Sequence, residues 1–387
     1  METKDRLMSL DALRGADMLF IIGLSGAIVA FCQLLGFGKD CWLSVQMTHV
    51  AWHGFRHHDT IFPLFLFLSG VSWPFSFASQ ISKGRTTAQI VRKILVRAVV
   101  LFALGMVSST LFKFDVGSFR YDTVLAHIGF CWAVSALLFM FVKSFRARLA
   151  IAAGLLAVHW IVLFFFAAPD AAALLASTDP AVAKKVASYA AYGTDNFSFT
   201  GNIAGWIDRT FMPGKLHEGV FDPDGLFGKM TGIVTAMFGV FSGELLRRKD
   251  MSGGRKTLVL LGAGVLTLAL CFAWRPWCPV NKKIWTSTFV LAAGSYSFFA
   301  LAVFYWIIDV KGWRAWSFPL RVIGMNSITI YIMKRFVAFG TMASFFFGGI
   351  AGLGNEHWRA FTMEMGQLVC EWLVLWYLYR KGTFLRV

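Results

Sequence analysis

Residues 46–70 read QMTHVAWHGFRHHDTIFPLFLFLSG, four histidines and an aspartate set directly before a long apolar run. His49, His53, His57, His58 and Asp59 thus stand at the edge of a segment that lipid would solvate. Ionisable side chains there are costly unless they pair or act, so the stretch marks both a membrane boundary and a candidate site.

The rest of the chain makes the boundary real. Of its 387 residues 57% are hydrophobic and only 15% charged, with a mean hydropathy of +0.63, which is the composition of a polytopic membrane protein. A spanning helix needs roughly 20 mostly apolar residues, and about ten segments qualify. They lie near 17–37, 60–82, 96–113, 123–142, 149–168, 226–246, 257–274, 286–308, 319–336 and 364–380. Residues 337–353 are either an eleventh span or an interfacial or re-entrant piece. The fold class is therefore all-α: one transmembrane domain over 1–387, interrupted by a single long outer loop at 169–225. That loop opens with a short amphipathic helix and closes in a Gly-, Asp- and Pro-rich structured stretch, and it is expected to cover a site.

Lys and Arg collect in KDRLMSLDALR (4–14), KGRTTAQIVRKILVR (83–97), KSFRAR (143–148), RRKDMSGGRK (247–256), DVKGWRAW (309–316) and the closing RKGTFLRV. With an even number of spans these share one face, and the positive-inside rule puts both termini in the cytoplasm. The formal charge of +16 is split among short loops rather than gathered on one solvated face, which excludes a nucleic-acid role. The first apolar run is long enough to span, so no cleaved leader is expected. The six cysteines include no CxxC, and no metal is expected; Cys41 and Cys278 share the outer side, where a bridge is one option.

Several stretches converge on one family. RLMSLDALRGADML (6–19), THVAWHGFRHHDTIFPLFLFLSGVS (48–72), FDPDGLFGKMTGIVTAMFGVFSGELL (221–246), PVNKKIWTSTFVLAAGSYSFFALAVFYWIIDVKG (279–312), GMNSITIYI (324–332) and WYLYRKGTFLRV (376–387) resemble, in order, motifs of the heparan-alpha-glucosaminide N-acetyltransferase family. The resemblance implies a membrane-embedded acyltransferase that takes acetyl from cytosolic acetyl-CoA and delivers it to an amino sugar or other glycan on the lumenal or periplasmic side. It also implies a homodimer, and His49 and Asp59 fall where the family has its catalytic histidine and the aspartate before FP. A bacterial inner-membrane member without the lumenal N-terminal domain is expected.

The chemistry agrees with that assignment. Acetyl transfer needs a base that removes a proton from the attacking amine or hydroxyl, and imidazole titrates close to working pH. Asp59 could fix its tautomer, as in a catalytic dyad. A histidine bonded only to a backbone carbonyl is the bland alternative. His53, His57 and His58 are more simply loop residues. A metal site built on His49, His53 and His57 would need a continuous helix that Gly54 disfavours.

Asp11 and Arg14 form an ion pair within one helical turn, or Arg14 and Arg97, with Arg92 nearby, face the phosphates of CoA. Asp17, deeper in the first span, must face protein or a cavity and is a candidate for binding the acceptor. Trp52, Arg120, His127, Asn281 and Lys282 are further candidates on the acceptor side. Asn326 and Ser327 either glue helices together or line the passage by which the pantetheine arm reaches His49. The family commonly has a Gln-Arg pair where this chain has Ala126 and His127, and Ser25 stands where the lysosomal enzyme has an asparagine. The competing reading is a proton-coupled transporter using Asp17 and the histidines as a relay.

Overall fold

The computed structural model describes residues 7–109 and 119–385. The first residues of the basic N-terminus, positions 110–113 of the third expected span and the last two residues lie outside the described residues. Helix makes up 73% of the chain, and among the described residues there is no strand, only isolated bridges. In chain order the principal helices are α1 (Met8–Leu34), α2 (His57–Ser82), α3 (Thr87–Ser109), α4 (Val124–Phe141), α5 (Phe145–Phe165), α6 (Pro180–Tyr189) and α7 (Ile203–Phe211). They continue with α8 (Lys229–Arg247), α9 (Gly253–Trp274), α10 (Ser287–Val310), α11 (Phe318–Met325), α12 (Ser327–Phe336), α13 (Phe339–Ala351) and α14 (Glu356–Arg380).

A helix or broken helix stands at every expected span, yet among the described residues only six, α1, α2, α4, α5, α9 and α10, are long and apolar enough to cross a bilayer by themselves. A seventh results if α12 and α13, bent by 83°, are one broken span. The count of ten is therefore not confirmed. The reasons are local: α3 carries Arg92, Lys93 and Arg97, α14 carries Arg359, Glu364 and Glu371, and the ninth segment breaks at Asn326 between α11 and α12. The 337–353 segment is not an independent eleventh span but the short helix α13 folded sharply back from α12.

Helix α8 falls short of the apolar criterion for a different reason. Its Thr231, Thr235 and Ser242 are fully buried, so neighbouring helices rather than lipid solvate it. Its approach to α2 is set by glycines. A Cβ on Gly239 would lie 1.9 Å from the Phe67 carbonyl oxygen, one on Gly243 2.3 Å from that of Val71, and one on Gly70 2.1 Å from that of Ala236. This is GxxxG packing, in which backbones touch because no side chain separates them. The same device joins α1 to α11, where Gly15 meets the Leu320 carbonyl and Gly324 meets that of Asp11, each at 1.8 Å from the built Cβ.

Helix α1 widens into a π-turn at Phe20–Leu24, with Gly23 at φ 154°. Such a turn frees backbone carbonyls, and Lys334 Nζ donates to the Ile22 carbonyl at 2.6 Å while lying 3.5 Å from Glu371. The buried charges of α12 and α14 thus repair the interruption in α1.

The insertion folds on a small core of its own, with Phe197, Phe199, Ile203 and Phe221 packed on Trp52 and Ile284 from the bundle. Its first half is helical, a single turn at Ala171–Leu175 followed by α6, and its second half closes in a hydrogen-bonded loop. Arg209 clamps Asp170 through two hydrogen bonds at 2.6 and 2.8 Å. All six cysteines are free; Cys278 is buried against the Thr288 hydroxyl while Cys41 bonds Ser44, so the Cys41–Cys278 bridge is not formed.

Overpacking a filled core costs roughly 1–3 kcal/mol, and here the obstacle is backbone. Gly239→Val should lower the melting temperature of the purified protein in detergent, whereas Gly262→Val on α9, with nothing within 4 Å of its Cβ, should leave it within a degree or so of wild type.

Candidate active site

The segment 48–56 is a loop, not a helix. Gly54 sits at φ 128° and its N–H donates to the Val280 carbonyl at 2.8 Å, binding the loop to the turn at 279–286. Helix α2 then starts at His57, and Asp59 occupies its third position. Its Oδ2 accepts the Arg56 N–H at 3.2 Å and the Val50 N–H at 3.4 Å, a carboxylate capping a positive helix end. The other oxygen, Oδ1, is 2.8 Å from His49 Nδ1. Arg56 holds the loop from outside, donating to Thr48 Oγ1 at 2.7 Å and to the His49 carbonyl at 3.1 Å.

The carboxylate is 1% exposed while the His49 side chain is 52% exposed. An ionised carboxylate can only accept, so the pairing with Asp59 favours the tautomer that has its proton on Nδ1. Lys282 Nζ stands 3.1 Å from the same Nδ1 and 3.6 Å from Asp59 Oδ1. Burial pushes the Lys282 ammonium below its ordinary range, against the pull of Asp59.

These groups line a cavity of about 620 Å³ beneath the insertion. Trp52 and Arg120 line it too, as do His58, Tyr189, His217, Glu218, Asp224, Lys283 and Tyr331. Trp52 fixes the insertion by donating its indole N–H to the Phe197 carbonyl at 2.8 Å. Arg120 is bidentate to Asp222, at 2.6 and 2.8 Å, and reaches Asp224 at 2.7 Å. Glu218 is gripped by Lys185 and Lys283, and Lys283 also bonds the Tyr189 hydroxyl. Burial opposes the Glu218 charge, but the two ammonium groups overcome it and hold the carboxyl down at about 2.

Two further cavities lie below. A neck of about 40 Å³ shares Ile21, Phe62, Val124 and Tyr331 with the upper cavity, and shares Phe65, Leu125, Ile128, Ser327 and Ile328 with a lower cavity of about 220 Å³. The lower one is lined by Arg14, Arg97, Ser69 and Ser72. Arg14 bonds Ser72 at 3.1 Å and Asp11 at 3.4 Å, and Arg97 lies 4.1 Å over the Trp132 ring. Arg14 thus pairs within its own helical turn and also lines this cavity.

The remaining candidates are placed differently. Asn281 turns inward, its Oδ1 accepting the Lys283 and Ile284 N–H groups. His127 is buried under the upper cavity, stacked at 4.6 Å on Trp285. Asp17 is buried with Oδ2 lacking a hydrogen-bond partner among the described residues, and it does not line the upper cavity. Asn326 donates to Val322 and helps end α11, beside Ser327. The histidines do not converge. His53 turns to Asn281 and Tyr192, and His57 to the Tyr296 hydroxyl at 3.1 Å. His58 bonds Ser25 at 3.2 Å and packs 4.4 Å from the His49 ring. Sequence reasoning passed over Glu218, Lys283 and Tyr189. Their only signal was membership of a loop expected to roof a site and of the run after PVN.

Below the insertion's carboxylates lies Asp208 on α7, which accepts from the Leu226 N–H at 3.0 Å and the Asp222 N–H at 3.4 Å. Burial raises it to about 7, and burial likewise raises Asp224 to about 6. An acid whose folded pKa exceeds its unfolded one binds protons more tightly when folded. Its contribution is complete below about pH 4 and is lost as pH rises through about 7. The thermal midpoint should accordingly fall across that window, and Asp208→Asn should flatten the slope.

No family model matches the chain. It is 25% identical over 426 residues to the human protein named heparan-alpha-glucosaminide N-acetyltransferase, covering 99% of this chain and 60% of that one. It is also 25% identical over 371 residues to the mouse protein of the same name, covering 85% and 53%. The chain thus spans little more than half the length of these relatives. The likeness to the human protein is sustained over nearly all of this chain's own length, so the chain is similar throughout to a protein named heparan-alpha-glucosaminide N-acetyltransferase.

Proposed function

We propose that this integral membrane protein is an acetyltransferase that moves an acetyl group from acetyl-CoA to an amino sugar or other glycan, with His49 as general base. The observation that carries the reading is the 2.8 Å His49–Asp59 pair at the wall of a cavity that a narrow neck joins to a second cavity bearing Arg14 and Arg97. CoA is too polar to cross lipid, so its phosphates stay with the two guanidinium groups while the linear arm carries the thioester through the neck, past Ser327, toward His49. The acceptor lies in the upper cavity, among Trp52, Arg120 and Lys282.

In the transfer the acceptor nitrogen or oxygen attacks the thioester carbonyl as Nε2 takes its proton. The carbonyl oxygen gains negative charge, the C–S bond breaks, and the imidazolium returns the proton to the departing sulfur. Asp59 stabilises the imidazolium without taking the proton itself. Lys282, a cation beside Nδ1, opposes that charge and also offers a donor to the developing oxyanion. Attack by His49 itself, forming an acetyl-histidine, uses the same geometry.

The test is acetyl release from radiolabelled acetyl-CoA by purified protein with a panel of amino and neutral sugars. His49→Ala should reduce transfer by about 10²-fold or more, and Asp59→Asn should follow it. Arg14→Ala and Arg97→Ala should raise KM for acetyl-CoA with kcat little changed, the signature of lost uniform binding. Transfer that survives in His49→Ala would remove the base and keep the enzyme. Absence of both CoA binding and transfer in wild type would favour a transporter, which would use the same cavities and the buried Asp17.

The proposed sidedness rests on the basic loops, which put both termini on the cytoplasmic side and the insertion on the far side, the periplasm if the membrane is a bacterial inner membrane. A cysteine placed within 169–225 should react with an impermeant maleimide from the periplasmic side; reaction from the cytoplasmic side alone would invert the topology.

A further inference from the structure

A further cavity on the molecule's flank is separate from the three just described. It is a groove of about 810 Å³ between α5, α8 and α9, closed behind by Phe139 of α4 and Phe298 of α10, and its size is that of a pre-formed ligand site. Five phenylalanines line it, and Ala263 and Leu266 form its α9 wall. At the end remote from the insertion its lining becomes charged, with Glu244, Arg247 and Arg248.

The charges there do not cancel. Arg148, on the first turn of α5 and 5% exposed, pairs with Glu244 at 2.8 Å. Its guanidinium lies 5.2 and 5.8 Å from the rings of Phe139 and Phe241, both groove residues. Only part of this pair is satisfied: Arg148 Nε and Nη1 and Glu244 Oε2 are buried with no hydrogen-bond partner among the described residues. Arg248 is matched by Asp250 at 2.5 Å, both exposed. Among the described residues no carboxylate pairs with Arg247, which is exposed at the mouth. A basic residue at a helix C-terminus is ordinary, but that accounts neither for the groove nor for the half-satisfied ion pair behind it.

We propose that this groove is a binding site for one anionic glycerophospholipid of the bilayer, with an acyl chain among the phenylalanines and the headgroup phosphate at Arg247 and Arg248. An apolar slot opening to lipid with a basic rim at headgroup depth is the arrangement that selects charged lipids between transmembrane helices. The phosphate oxygens supply the acceptors that the rim lacks, and the chain fills a depth of groove that annular lipid would only skim. The acetyl-transfer reading is not needed for this site.

Native mass spectrometry of the whole purified protein, delipidated and offered dioleoyl phosphatidylglycerol or dioleoyl phosphatidylcholine, tests it. One phosphatidylglycerol should be retained in preference to phosphatidylcholine by about fivefold, the change expected of one basic residue at a lipid surface. Arg247→Gln with Arg248→Gln, both exposed and safe for folding, should bring the two lipids level. Ala263→Phe should fill the slot and abolish retention, provided its melting transition shows it folded; if it does not fold, the arginine variant decides. Equal retention of the two lipids by wild type, a preference that survives loss of both arginines, or undiminished retention in folded Ala263→Phe would each overturn the proposal.

Discussion

The contact of α2 with α8 through Gly70, Gly239 and Gly243 is the constraint from which the rest follows. In lipid there is little hydrophobic drive between helices, so close backbone packing has to supply the association. Each of these two helices carries charge at the end that faces the insertion. Asp59 begins α2, and Lys229 begins α8, where it pairs with Asp122 and reaches the Asp224 carbonyl. Locking the two backbones together therefore fixes the distance between the His49 dyad and the carboxylates that anchor the insertion. A side chain in the seam would move both ends of the site.

Around that seam the protein handles buried charge by giving it backbone partners. Asp59 is held by two N–H groups before it meets His49. Lys334 is held by the carbonyl that the π-turn of α1 sets free. Asp208 is held by N–H groups of the loop it supports. Breaking one partner of such a group leaves the other uncompensated, which is costlier than the interaction is worth when intact. The ion pairs of the insertion serve a related purpose: Arg120 and Lys283 tie the roof to the bundle through side chains, and Lys185 braces Glu218 within the roof.

Much of this was legible in the sequence. The positions of the helices follow from apolar runs, and His49 and Asp59 stood out as candidates, although their contact across a ten-residue loop is visible only in the fold. What escaped was whatever depends on neighbours far apart in the chain. Whether a helix must be apolar depends on whether lipid or protein surrounds it, which is why α8, clad in protein, can hold threonines; on α3, Arg92 is exposed and Arg97 lines the lower cavity. Lys282 meets His49 across 233 residues, and no local pattern announces that. His127 and Asn281, read as acceptor contacts, are instead turned into the protein, because a polar residue at the boundary serves packing as readily as binding.

The neck between the upper and lower cavities has a consequence for the membrane as a barrier. Two polar cavities open toward opposite faces would, if joined by a wide passage, let ions and protons run down their gradients and dissipate the potential the membrane maintains. The neck encloses only about 40 Å³ between Met18, Ile21, Phe62 and Phe65. An apolar constriction of that size resists wetting and so resists conduction. On the proposed acetyl-transfer reading, such a constriction lets a chemical path cross the bilayer while the protein remains an electrical insulator, because what its narrowest point excludes is bulk hydration.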